Sequence, residues 1–206
     1  MKLHSVDYKD WFINQKRIPD KESEEYRTFF NFHKELCMNG CYVNGEYINP
    51  FLYWHLNAWH TEVDIIDDYG RINQKYANPL LRDNEWLVTN EIDRAQKEKG
   101  LVILGIRRLA KSVIEASYIG QGATFDENSQ NVIAGLNAPD IKLITDKIDK
   151  GLNFLPEAWR WQRVEDNWKN QVTLGIKTRG GERMPFSQIL IRNLDDGNNE
   201  EAIAGT

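Results

Sequence analysis

The chain has little that would cross-link it or carry it out of water. It holds two cysteines among 206 residues, Cys37 and Cys41, too few for a disulfide framework. No apolar run exceeds a handful of residues, so no stretch reads as a membrane span. The opening Met1-Lys2-Leu3-His4-Ser5-Val6-Asp7 contains no apolar block. A secretory signal is therefore not expected, and the cysteines read as reduced thiols. Basic residues are in the minority, 26 against 31 acidic ones, for a net charge of −5. That balance excludes a polybasic nucleic-acid-binding chain but leaves room for a local basic channel. There is no internal repeat and no low-complexity tract. What is present is the usual mix of a globular domain: 41% apolar and 28% charged residues, with seven tryptophans, several beside charges. At 24.1 kDa the chain can bury one core, or one core with a helical arm.

Periodicity divides the chain at about residue 77. In residues 1–77, Tyr26, Phe29, Phe30, Phe32, His33 and Leu36 supply an apolar stripe for a helix over 21–38. Asn44-Gly45 between two short β-prone runs signals a hairpin. Pro50 opens a second helix over 51–59, and the polar stretch 62–77 reads as a connection. Residues 78–206 begin with a charged amphipathic helix over 78–99, Trp86, Leu87, Ile92 and Ala95 facing one way, closed by Gly100. Leu101-Val102-Ile103-Leu104 is a continuous apolar run, as a strand covered on both faces should be. A helix over 111–119, a strand over 131–134 and a helix over 139–152 follow. Strands over 171–178 and 188–192 complete the series, with a turn at Arg179-Gly180-Gly181-Glu182. Strand, glycine loop, helix, strand, helix is the beginning of a parallel α/β sheet.

The chemical signal is Gly105-Ile106-Arg107-Arg108-Leu109-Ala110-Lys111-Ser112. It follows the phosphate-loop template, glycine, four residues, glycine, lysine, then serine or threonine, with Ala110 in the second glycine's place. Such a loop aims backbone N–H groups at phosphates, and the following helix adds the positive end of its dipole. Lys111 is then expected on the β/γ-phosphates and Ser112 on Mg²⁺. The Ala110 methyl adds bulk where backbone must approach phosphate. Arg107 and Arg108 have two readings: charge neutralising a γ-phosphate during transfer, or solvated charge at a loop tip.

The strand–G-x-R-R-x-[AG]-K-S–helix arrangement resembles the large terminase subunit of tailed bacteriophages. Gly45-Glu46-Tyr47-Ile48-Asn49-Pro50-Phe51-Leu52-Tyr53-Trp54-His55-Leu56-Asn57, Pro79-Leu80-Leu81-Arg82-Asp83-Asn84-Glu85-Trp86 and Leu155-Pro156-Glu157-Ala158-Trp159 are similar to segments of the same family. The resemblance covers roughly residues 40–206. It implies a RecA-like P-loop core, a parallel sheet with flanking helices, over 78–206 and incomplete at its C-terminal end, preceded by a helical and hairpin subdomain over 1–77. It implies an ATPase that threads double-stranded DNA into a procapsid, with ATP and Mg²⁺ as cofactors. The implied partners are DNA, a portal protein, a small terminase subunit and further copies in a ring, usually a pentamer. The implied location is the host cytoplasm at the portal vertex, with no membrane association and no lasting place in the virion. Gly105, Ile106, Arg107, Arg108, Leu109, Ala110, Lys111 and Ser112 would form the nucleotide site, with Arg107, Arg108 and Lys111 acting on the phosphates. Arg82 would lie near the adenine.

The family also needs an apolar strand ending in Asp-Glu, whose Glu activates water. The best candidate is Ile189-Leu190-Ile191-Arg192-Asn193-Leu194-Asp195-Asp196, and Asp195-Asp196-Gly197-Asn198-Asn199 reads better as a polar turn. The chain is thus expected to be an N-terminal portion of a terminase, weakly active or inactive by itself. A non-catalytic assembly module with a degenerate loop is the alternative, and an unrelated P-loop enzyme the third reading. Three smaller constellations complete the survey. His33, Cys37 and Cys41 with His55 or His60 have zinc-like spacing but read as core residues. Asp64, Asp67 and Asp68 read as a solvated connection. Trp159, Trp161 and Trp168 among Arg160, Arg163 and Lys169, and Lys177, Arg179 and Arg183 near a hairpin, are candidate contacts for DNA or a neighbouring subunit.

Overall fold

A computed structural model describes residues 18–43, 45–79, 81, 83–95 and 111–194. They fall into two compact units. One holds the described residues up to Ile114 together with Phe154–Ala158, and the other holds Glu115–Asn153 with the described residues from Trp159 on.

In the first unit, helix α1 spans Glu24–Asn39. Ser23 caps it by accepting a 3.2 Å hydrogen bond from the Tyr26 N–H, which satisfies one of the helix's orphan donors. Phe30, His33 and Cys37 are its buried face, while Phe32, expected in the apolar stripe, is exposed. Gly40 ends the helix at φ 73°. A Cβ there would also overlap the Ile48 carbonyl oxygen, so glycine is required on both counts. Strands β1 (Cys41–Val43) and β2 (Glu46–Ile48) form the expected hairpin.

Helix α2, Pro50–Asn57, is the centre of this unit. Proline sits in its first turn, and Asn49 accepts from the Leu52 N–H at 2.7 Å. Every residue from Phe51 to Asn57 is buried, the signature of a helix apolar all round and enclosed on every side. Burying Phe51, Trp54 and Leu56 contributes about 1.5–3 kcal/mol each. Residues 62–77 are not a connection. They form the antiparallel pair β3 (Thr61–Ile66) and β4 (Ile72–Ala77). Its turn is built on Asp67, whose carboxylate accepts from the Tyr69 N–H, the Arg71 N–H and the Arg71 and Asn73 side chains. A local side-chain turn of this kind is invisible to apolar periodicity. Helix α3, Asp83–Ala95, buries Glu85, Thr89 and Ile92. Leu87, expected on the inner face, is exposed.

The second unit carries most of helix α4 (Lys111–Phe125), then β5 (Gln130–Gly135), α5 (Ala138–Phe154), a short 3₁₀ turn (Glu157–Trp159), β6 (Gln162–Asn167), β7 (Gln171–Lys177) and β8 (Arg183–Asn193). The strands form one sheet in the order β5-β8-β7-β6. β5 and β8 are parallel, and the other two pairings are antiparallel. The class is mixed α/β, but the expectation of a parallel sheet is corrected for the described strands. Short turns join β6 to β7 and β7 to β8, and a tight turn permits antiparallel pairing alone. The one parallel pair is the one whose members are separated by a crossover, consisting of α5, β6 and β7. Its buried side chains include Ile133, Val172, Leu174, Ile189, Leu190 and Ile191.

The C-terminal carbonyls of α4 are capped by side chains of this unit. Ser187 Oγ donates to Ala123 O at 2.5 Å, Trp161 Nε1 to Thr124 O at 2.8 Å, and Ser129 Oγ to Gly122 O at 3.3 Å. These bonds seat the helix end against the strands. No helix among the described residues is long and apolar enough to cross a membrane.

Among the described residues of the first unit, His55 is left without polar satisfaction. It is fully buried on α2 and neither ring nitrogen has a partner. Burial pushes its pKa down to about 3. The unfolded chain takes up a proton on this imidazole near pH 6.5 and the folded chain does not, so folding loses stability as pH falls from 6.5 toward 3. His55→Leu is expected to raise stability by about 1–2 kcal/mol at pH 7, since it removes two unsatisfied polar atoms. It should also lessen the acid-induced loss between pH 6.5 and 4 by roughly 1 kcal/mol per pH unit. Urea melts of both proteins across that range check this.

Candidate phosphate site

Lys111 and Ser112 are the first described residues of helix α4, and both are half-buried. The last two residues of the phosphate-loop pattern therefore lie in a helix. In the phosphate-loop template these two positions open the helix, where backbone N–H groups and the positive end of the dipole favour an anion. An ammonium and a hydroxyl on adjacent residues at such a terminus are the donor set that a magnesium-bound triphosphate takes. Gly105, Ile106, Arg107, Arg108, Leu109 and Ala110 lie outside the described residues, as does Arg82.

The carboxylate candidate is described in part. β8 continues through Arg192 and Asn193, opposite Ala134 and Gly135 of β5. The polar residues that interrupt the apolar run thus do not end the strand. Leu194 N–H donates to Gly135 O at 2.9 Å, so the two parallel strands finish level with each other. Asp195 and Asp196 lie outside the described residues.

No group of His, Cys, Asp and Glu able to hold a metal occurs among the described residues. His33 Nδ1 shares a 2.6 Å hydrogen bond with the Tyr53 hydroxyl. Cys37 is fully buried, which raises its thiol pKa well above the usual value. His60 Nδ1 donates to Ala58 O at 3.3 Å, and burial lowers its pKa. Asp64 accepts from Gln74. Asp67 serves its turn, and the Arg71 backbone N–H first of all holds its carboxyl below the usual range. Each reads as a structural residue.

The tryptophans on either side of β6 have internal roles too. Trp159 is buried with its ring edge-on to Phe125 at 5.5 Å, and Trp161 stacks on Phe186 at 4.2 Å. Trp168 lies under the Arg163 guanidinium at 5.6 Å. Arg163 Nη2 reaches Asp149 Oδ1 at 2.5 Å and Asn153 Oδ1 at 2.9 Å. The segment between these tryptophans is the strand β6, Gln162–Asn167, with Trp159 and Trp161 before it and Trp168 in the turn after it.

Comparison with known protein families returns no match, and comparison with curated proteins returns none.

Arg163→Ala is expected to cost about 1–2 kcal/mol, because it breaks a partly buried ion pair and a cation–π contact together. Arg163→Lys should recover less than half of that, since an ammonium cannot lie flat on Trp168 while bonding Asp149. Urea midpoints at constant slope measure both.

Proposed function

We propose that this chain is the ATP-binding portion of a terminase large subunit, the motor that drives double-stranded viral DNA into a procapsid. What supports the reading is that Lys111 and Ser112, which close a glycine- and arginine-containing phosphate-loop pattern, lie in helix α4, as the pattern requires of its last residues. In this reading the described sheet belongs to a RecA-like core whose phosphate-loop strand is the apolar run at 101–104. Lys111 would hold the β- and γ-phosphates, and Ser112 would hold Mg²⁺. Arg107 or Arg108 would face the γ-phosphate. Bound Mg-ATP would supply the leaving group and the metal-polarised phosphoryl centre. The chain's own part is to bind and orient it through the helix start, the lysine and the loop amides. Portal protein, small terminase subunit and further copies in a ring are the partners this reading implies.

A second reading, a non-catalytic assembly module, is favoured by one residue. Ala110 places a methyl group where the pattern calls for glycine.

Calorimetric titration of Mg-ATP into the chain, with Lys111→Ala and Ser112→Ala beside it, separates the two. The motor reading expects measurable binding, at least about tenfold weaker in Lys111→Ala, with Ser112→Ala losing its dependence on Mg²⁺. Equal heats from wild type and Lys111→Ala would favour the assembly module.

A further inference from the structure

The end of the β7–β8 hairpin stands clear of its sheet. Pairing of β6 with β7 stops at Gln162 opposite Gly175. Pairing of β7 with β8 runs on through Ile176–Met184 to Lys177–Arg183. The register shifts between Leu174 and Gly175, and a Cβ at Gly175 would overlap the Met184 carbonyl oxygen. Glycine thus permits a local irregularity that re-aims the strand beyond it. Residues 176, 177 and 179–185 are all exposed.

Alternation gives this arm two unlike faces. Ile176 and Met184 share one, and Lys177 and Arg183 share the other, with Arg179 in the turn. Lys177 and Arg183 oppose each other directly, an arrangement of like charges that costs stability. Among the described residues neither they nor Arg179 makes an ion pair. Residues 176–185 carry three bases and one acid, Glu182, while the whole chain is acidic at −5. At the tip, a Cβ on Gly181 would meet nothing within 4 Å, and one on Gly180 would meet just the Thr178 hydroxyl at 3.8 Å. The turn is therefore open to a large anion.

We propose that the β7–β8 arm docks on the phosphate backbone of duplex nucleic acid, through Lys177, Arg179 and Arg183. Facing cations cease to be a cost when an anion lies between them, and guanidinium and ammonium groups are the natural donors to phosphate oxygens. A two-stranded ribbon is also narrow enough to enter a major groove. An acidic protein surface is the poorer fit. The arm's exposed apolar pair, Ile176 and Met184, lies on the opposite face, so a protein partner that used it as an anchor would leave the three cations turned away. The inference deepens the DNA-handling reading and rests on it for the choice of partner.

The test is fluorescence anisotropy of a labelled DNA duplex titrated with the full chain, without nucleotide, between about 50 and about 200 mM salt. Omitting nucleotide keeps the result separate from the state of the phosphate loop. The Lys177→Ala/Arg179→Ala/Arg183→Ala variant should bind at least roughly tenfold more weakly, with its log K against log salt slope reduced by about two to three. Its thermal transition should stay at or above that of the wild type, which shows that the fold survives. A control, Arg27→Ala/Lys75→Ala/Lys147→Ala, removes the same charge elsewhere and should change affinity by less than about twofold. Equal losses in the two variants, no loss in the arm variant, or no duplex binding by the wild type would each overturn the proposal.

Discussion

Two neighbouring strands that run the same way cannot be joined by a turn, and this constraint shapes the second unit. β5 and β8 are such a pair. The chain between them must leave the sheet and return, and it does so through α5, β6 and β7. β7 and β6 then have one place to go, the free edge of β8, where short turns make them antiparallel. The arrangement sets Ile133, Ile189 and Ile191 on one face of the sheet and Leu190 on the other, all of them buried. It also brings Ser187 and Trp161 to the last carbonyls of α4. The C-terminal end of the helix that carries Lys111 and Ser112 is thus anchored by side chains of this unit.

The first unit is organised around a helix with no outer face. Because α2 is enclosed all round, its polar atoms must be satisfied internally. Asn49 caps its start and reaches Asn90, and Asn57 donates back to Tyr53 O at 2.8 Å. Tyr53 in turn bonds His33 on α1. Polar groups thereby fix the register of an apolar core, at the cost of His55, which finds no partner. The aromatic stack of Tyr76 on Phe154 at 4.9 Å, with His60 on Phe154 at 5.6 Å, ties the β3–β4 hairpin to the Phe154–Ala158 segment of the same unit.

Elements with a strong local signal were legible in the sequence. Pro50 after Asn49, Asn44-Gly45 between β-prone runs, and the Ile141/Ile148 spacing each corresponds to the expected helix, hairpin or helix. The glycine turn at 180–181 joins two strands as read. What was missed has a common cause. β3, β4 and β6 are two-sided strands with few apolar residues, held by Asp67, by Glu62–Tyr76 and by Arg163 rather than by a buried stripe. The sheet's mixed direction was hidden for a different reason: strand order is decided by connection length and edge availability, neither of which periodicity reports. The candidate site was legible as a motif, of which the structure describes Lys111 and Ser112, both in α4. Residues 105–110, 82 and 195–196 lie outside what the structure describes.

The central claim is that the start of α4, with the loop before it, binds the phosphates of a nucleotide. The most direct measurement is hydrogen–deuterium exchange on the chain with and without Mg-ATP, read peptide by peptide. The account predicts slowed exchange confined mainly to peptides covering residues 105–114, since bound phosphate would occupy those amides. Unchanged exchange across 105–114 at saturating Mg-ATP, or protection elsewhere without it, would contradict the account.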